Sequence, residues 1–289
     1  MRTSGSGRAT ARLVGNTRDV STTPIAPRAV TWALIVLGAL EVPWVIYLVF
    51  TQQESFKAYH LNLATIGLST ASALIAGFAC WALLRNWVAA PALCVATATV
   101  VLFLSSVTSL SRNLGSRVAL SPDHISLVIA IPGAIAAVYA AHVCLRGRQQ
   151  QQELGLLIAT VVVGLVAAAF AVRTVQHVTD HHSTAYVTQA RAIVVLLDTG
   201  EAIGLLGAGI ASLKGRPKPM LIFSTMGAVL LMCDAWTNVL TAASGLAFDS
   251  AIFYLIVGEI PSIVVCLWAM KSALRSLREH RLGEMSAAY

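Results

Sequence analysis

Five carboxylic acids interrupt otherwise apolar stretches of this chain: Glu41, Asp198, Glu201, Asp234 and Glu259. Asp198 and Glu201 stand three residues apart, a spacing that puts both on one face of a helix. Asp234, Thr237, Asn238 and Thr241 form a polar stripe at helical spacing. Glu41-Val42-Pro43 and Glu259-Ile260-Pro261 repeat one E-x-P arrangement. Each proline lacks an N–H, so the carbonyl four residues back, of Ala39 or Val257, loses its usual donor. Carboxyl groups beside small polar side chains and a bare carbonyl can carry a proton or coordinate a cation. The candidate ion or proton site is therefore Asp198, Glu201, Asp234 and Glu259, with Glu41 and Asn238. The competing reading is that each acid makes an ordinary packing hydrogen bond with its own neighbour.

Other groups with chemical potential are weaker. His177, Asp180, His181 and His182 are ligand types that zinc uses, although exposed His-rich loops are usually just solvated. Arg191 lies two turns from Asp198 and is expected to be able to pair with it. The five cysteines, Cys80, Cys94, Cys144, Cys233 and Cys266, fall inside apolar stretches with no C-x-x-C spacing and read as packing residues. Gly204 to Gly209 lacks the strand and the Gly-Lys-Ser/Thr of a phosphate loop. No H-E-x-x-H, G-x-S-x-G or dinucleotide fingerprint is present, so no cofactor is implied.

The elements that must position these residues follow from composition. The chain has 289 residues, 57% hydrophobic and 11% charged, with a mean hydropathy of +0.75. A soluble domain carries about 25% charged residues, so this chain cannot clothe a water-exposed surface. Soluble enzymes, disordered chains and disulfide scaffolds are excluded. The net charge of +7 does not point to nucleic acid, because the basic residues sit in the tails and in short connections. The partner is the lipid bilayer. Residues 1–29 hold five arginines against Asp19 alone and read as a disordered basic tail.

A hydrocarbon core about 30 Å thick needs about 20 helical residues. Runs of that scale lie near 30–50, 62–84, 87–109, 125–146, 154–173, 190–213, 219–243 and 249–270. They are continuous and not alternating, which favours helices over a β-barrel. The first run carries no small-residue cleavage site and is read as an uncleaved span. The expected fold is an all-α polytopic transmembrane bundle of about eight spans. With the N-terminus inside, fifteen of the 20 Lys and Arg fall on that side, so both termini are expected in the cytoplasm, with the chain in the plasma (inner) membrane. Gly200, Gly204, Ala208 and Ser212 give small-xxx-small spacing for a close helix contact.

The chain also aligns with itself at an offset of 129, the distance from Pro132 to Pro261. Leu84-Arg85 then meets Leu213-Lys214, and Leu145-Arg146 meets Leu274-Arg275. The expectation is two tandem four-helix repeats in the same orientation, 30–146 and 154–278, joined by a linker at 147–153 and followed by a tail at 279–289. The halves differ where chemistry is possible. Ser69, Ser72, Ser105 and Ala130 in the first stand where Asp198, Glu201, Asp234 and Glu259 stand in the second.

The stretch Cys233-Asp234-Ala235-Trp236-Thr237-Asn238-Val239-Leu240-Thr241-Ala242, then Glu259-Ile260-Pro261, together with Asp198-Thr199-Gly200-Glu201-Ala202, resembles a family of actinobacterial polytopic membrane proteins of unknown function. The likeness covers mainly the second half; the first half departs from it by lacking the acids. It implies a shared role for the acidic layer and says nothing of substrate.

A charged acid at the centre of a membrane helix costs about 2.5–3.5 kcal/mol, against about 0.3–0.6 gained for each Leu or Ile. The acids must then be neutral, paired or turned to a polar interior, and they are expected to converge. The leading expectation is a proton- or cation-coupled transporter or channel-like protein acting on a small solute, ion or lipid. The alternatives are a membrane-embedded acid–base enzyme on a lipid or isoprenoid, with Trp236 and Tyr254 lining its pocket, and a non-catalytic partner subunit. A homo-oligomer is compatible with all three.

Overall fold

The computed structural model describes residues 26–54, 56–111, 122–146, 153–179, 185–187 and 189–286. Seven helices come first: α1 (Arg28–Thr51), α2 (Leu61–Leu84), α3 (Ala90–Ser111), α4 (Pro122–Arg146), α5 (Glu153–Thr179), α6 (Ala190–Leu213) and α7 (Pro217–Thr241). The last rod is composite. Helix α8 (Leu246–Tyr254) runs through a π-helical turn (Leu255–Glu259) into α9 (Ile260–Ser286) without a break. Among the described residues, seven rods are long and apolar enough to cross a membrane, and α3 adds a shorter apolar helix over Ala90–Ser106. The protein is an all-α polytopic helix bundle.

The outward surface is as apolar as the interior. Leu40, Phe50, Leu74, Val128, Leu154 and Leu246 are all largely exposed. No monomer in water keeps so many large apolar side chains uncovered. The helices are dressed for lipid on the outside, and the chain is an integral, multi-pass membrane protein.

Short connections make tight antiparallel hairpins. Helix α6 ends where Gly215 adopts a left-handed φ of 62°, and Pro217 then opens α7 with a preset φ. Asn86 does the same work between α2 and α3, with a φ of 51°. Between α1 and α2, and again before α6, the chain forms a short strand, β1 (Phe56–Ala58) and β2 (Ala185–Val187). The two pair antiparallel, with Lys57 opposite Tyr186. This ribbon defines one end of the bundle. The residues that follow the strands, His60 and Gln189, are both left-handed caps, at φ 48° and 56°. Helices α2 and α6, strands β1 and β2, and these caps all lie 129 residues apart.

Helices do not pack only within their own half. The two most extensive contacts between the halves are α1 along α6 and α5 along α2, so each half lends its first helix to the other. Helices α3 and α7 meet between them. One apolar core gathers α2, α3, α4 and α5 around Phe170, Val163 and Val101, and a second gathers α1, α6, α7 and α9 around Leu34, Leu205 and Leu221. Near the end away from the ribbon, the buried hydroxyls of Thr31 and Ser212 lie 2.8 Å apart, and Ser212 Oγ also accepts the Ala26 N–H at 3.3 Å.

The small residues of α6 act as the sequence predicts, on two neighbours at once. A Cβ at Gly204 would stand 2.7 Å from the Gly227 Cα of α7, and one at Gly209 would stand 2.6 Å from Ile35 Cγ1 of α1. Helix α6 is the axle of the second core. Gly204→Leu therefore has no room, and overpacking of this kind costs about 1–3 kcal/mol or more. Thermal unfolding of the detergent-solubilised protein is expected to show a lowered midpoint for Gly204→Leu. Gly77→Leu is the control, since a Cβ there meets nothing within 4 Å.

Candidate functional site

The five acids reach one region from four directions. Glu41 comes from the middle of α1, about 20 Å from its start. Asp198 and Glu201 share one face of α6, about 12 and 16 Å from its ribbon end. Asp234 and Asn238 occupy the last turns of α7, and Glu259 is the final residue of the π turn. One carboxylate oxygen each from Asp198, Glu201 and Asp234 falls within 4.8 Å of the other two. Asn238 ties in the fourth acid: its Nδ2 donates to Asp234 Oδ2 at 2.8 Å and lies 3.5 Å from Glu259 Oε1. Glu41 is within electrostatic range of both Asp198 and Glu259.

Burial deepens along this path. Asn238 is exposed and Asp234 half-buried, while Asp198, Glu201 and Glu259 retain only 5%, 3% and 8% exposure. Two of the deep acids are incompletely satisfied: Glu201 Oε1 and Glu259 Oε2 are buried without a hydrogen-bond partner. Two unit charges 4.8 Å apart repel by about 3.5 kcal/mol at an effective dielectric near 20. Three carboxylates in such proximity cannot all stand ionised without a positive charge among them. The cluster must hold protons, a cation, or both.

Arg191 does not supply that charge. The sequence expectation paired it with Asp198; instead its Nη1 meets Glu54 Oε1 at 3.1 Å and its Nε donates to the Gln52 carbonyl at 2.8 Å. The reason is reach and solvation. Arg191 lies in the first turn of α6, where a long side chain can turn outward to the wet end of the helix and keep its head hydrated. It secures the ribbon end to the α1–α2 connection.

Trp236 is also differently employed than expected. Its indole Nε1 donates to the Ala64 carbonyl at 3.0 Å and its ring lies flat against Gly67, so it is a packing strut between α7 and α2. Tyr254, by contrast, stands near Trp44, with ring centroids 6.1 Å apart, on the rim of the acidic region. Trp44 itself comes within hydrogen-bonding reach of Asp198. Sequence reading passed it over as an interface aromatic, although it lies three residues after Glu41 and so shares its face. Of the His cluster, His177 lies in the last turns of α5, and its side chain, like all of Asp180, His181 and His182, falls outside the described residues.

The π turn is the local device that aims Glu259. Ile260 N–H donates to Leu255 O, five residues back, and this wide turn ends immediately before Pro261, which has no N–H to give. Ser262 Oγ bonds the Gly258 carbonyl at 2.8 Å. Such single π turns recur at functional positions because they add one residue to a helix face without ending the helix.

Positions 129 residues earlier are filled quite differently. Ser69, Ser72, Ser105 and Ala130 are all buried, and in the place of Glu41 stands Phe170, among the largest fully buried side chains. Ala130 and Phe170 belong to the first apolar core. One half closes this region with hydrocarbon; the other lines it with acid.

A separate crevice of about 350 Å³ opens between α3, α6 and α7, lined by Thr99, Phe103, Ile193, Leu197, Met226 and Leu230 among others. It is almost wholly apolar. No family model, curated protein or solved structure matches the chain.

A buried polar atom left without a partner costs about 1–3 kcal/mol. Glu201 is thus held at the expense of stability, and Glu201→Met, of similar length and without the polar atoms, is expected to raise the unfolding midpoint in detergent. A lowered midpoint would show that the carboxyl stabilises the fold instead.

Proposed function

We propose that the protein is a transporter or channel-like protein that moves a proton or cation through its intramembrane carboxylates. One observation carries this reading: the Asp198, Glu201 and Asp234 oxygens converge within 4.8 Å inside apolar helices, with Glu201 Oε1 unsatisfied. Intramembrane ionisable groups are expensive and mark ion or proton pathways when they face a bundle interior. Glu259 and Asn238 extend the array toward the ribbon end, and Glu41 completes it from the lent helix α1.

The reading includes an internal duplication and an orientation. Support for the duplication is the 129-residue spacing shared by helix bounds, strands and left-handed caps. Lys57 and Tyr186, paired at the centre of the ribbon, are themselves 129 residues apart, so a two-fold axis relating the halves would pass between them along the bundle. Support for cytoplasmic termini in the plasma membrane is the excess of Lys and Arg at the end opposite the ribbon, including Lys214, Arg216 and Lys218.

A second reading has its own support. The apolar crevice between α3, α6 and α7 has the width for a hydrocarbon chain, and Leu197 on its wall precedes Asp198. An acid–base enzyme on a lipid or isoprenoid would use that pairing of chain slot and carboxyl.

Flux through proteoliposomes carrying pH- and Ca²⁺-sensitive dyes separates the two. The transport reading expects flux above empty liposomes, lowered at least about tenfold in Glu201→Gln and Glu259→Gln, which is the size expected when a positioned proton or ion group is lost. Asp249→Asn, on the exposed first turn of α8, is expected to leave it unchanged. Absence of flux with turnover of an added polyprenyl lipid would replace transport with catalysis. For orientation, membrane-impermeant maleimide applied to intact cells is expected to label Lys57→Cys and to spare Arg216→Cys.

A further inference from the structure

We infer that the acidic cluster is a binding site for a hard divalent cation of the Ca²⁺, Mg²⁺ or Mn²⁺ type, held by Asp198, Glu201 and Asp234. The inference rests on the proposed reading of the cluster as an ion site and narrows it to one class of ion. Geometry is the first ground. Metal–oxygen distances for these ions are about 2.0–2.6 Å, so ligand oxygens on opposite sides of one ion stand about 4–5 Å apart. The three oxygens already lie within 4.8 Å of one another, so the ion needs no helix movement to be gripped.

The donor set is the second ground. All three ligands are carboxylate oxygens, the choice of hard cations, and no histidine or thiol is among the converging atoms. Charge points the same way. Three carboxylates offer up to three negative charges, and one divalent ion offsets two of them where a monovalent ion offsets one. The buried, unpartnered Glu201 Oε1 supplies an independent sign of a missing ligand, since its carboxyl is 97% withdrawn from solvent and belongs to the converging set. Glu259 Oε2, equally unpartnered, stands ready as a further ligand from the other side of Asn238.

Asn238 has the part that outer-shell groups play around metals. By donating to Asp234 Oδ2 at 2.8 Å it fixes the carboxylate's rotation, and it stands exposed at the mouth of the site. It is a positioning residue. Entry runs past it from the ribbon end, through half-buried Asp234 to Glu201.

The test uses the full chain in detergent micelles or nanodiscs, with Mn²⁺ as the probe and loss of the free-ion electron paramagnetic resonance signal as the readout. One Mn²⁺ per chain is expected, displaced by Ca²⁺ and not by a hundredfold excess of Na⁺. Glu201→Gln and Asp198→Asn are expected to weaken binding at least about tenfold, the loss typical of a removed metal ligand or its partner. Asn238→Ala weakens it less, and Asp249→Asn leaves it unchanged. Where a variant fails to fold, the wild type decides: excess Ca²⁺ raises its unfolding midpoint by several degrees beyond NaCl of equal ionic strength. No Mn²⁺ binding, or binding indifferent to Glu201 and Asp198 in folded variants, overturns the inference. Proton flux that persists in that case, and is lost in Glu259→Gln, leaves the wider transport reading standing.

Discussion

Negative charge cannot be stored in hydrocarbon without something positive beside it, and the second half of this bundle is built around that restriction. Five carboxyl groups enter a region walled by Leu, Ala and Gly, and Arg191, the cation nearest in sequence, is spent on Glu54 at the end of the helix. What remains to satisfy the acids locally is the Asn238 amide and the reach of Trp44. The arrangement is costly in stability terms and specific in geometry. Local conflicts of this sort, set in an otherwise consistent fold, concentrate where a protein acts and not where it merely packs.

The exchanged first helices explain how the conflict is tolerated. Because α1 lies along α6 and α5 along α2, neither half can part from the other without uncovering both apolar cores. The first half contributes Phe170, Val163 and Val101 to an interior with no carboxyl at the corresponding places. The second inserts Glu41 where the first has Phe170. Firm packing in one half, and the crossing at Gly204 and Gly227 in the other, hold the acids together against their mutual repulsion.

Much of the architecture is legible in the residues, because lipid imposes so narrow a rule. A span must be long, apolar and helical, and α2 and α6 end within a residue or two of the runs read from sequence. The meeting of Asp198 with Glu201 follows from spacing alone. Their meeting with Asp234 requires the α6–α7 contact, which the glycines of α6 advertise. Other features leave no trace in a linear reading. A ribbon of three residues per strand is fixed by a partner 129 positions away, not by local propensity. A π turn has nearly the same hydrophobic period as an α-helix, so only Pro261 hinted at one. Arg191 was misplaced because spacing tells which face a residue occupies and not which way a long side chain swings. Trp44 was overlooked because an aromatic near a span end has an ordinary explanation at the lipid boundary.

The ribbon has a mechanical consequence. It stitches the α1–α2 turn to the α5–α6 turn through backbone hydrogen bonds, at one end only, while Arg191 and the Tyr59 N–H, bonded to the Thr241 carbonyl, add further ties there. Two levers clasped at one tip can rock only about that tip, like the arms of tweezers. Any parting of the halves has its fulcrum beside the ribbon and its widest stroke at the far end, where the hydroxyls of Thr31 and Ser212 form the latch that such a stroke must release first.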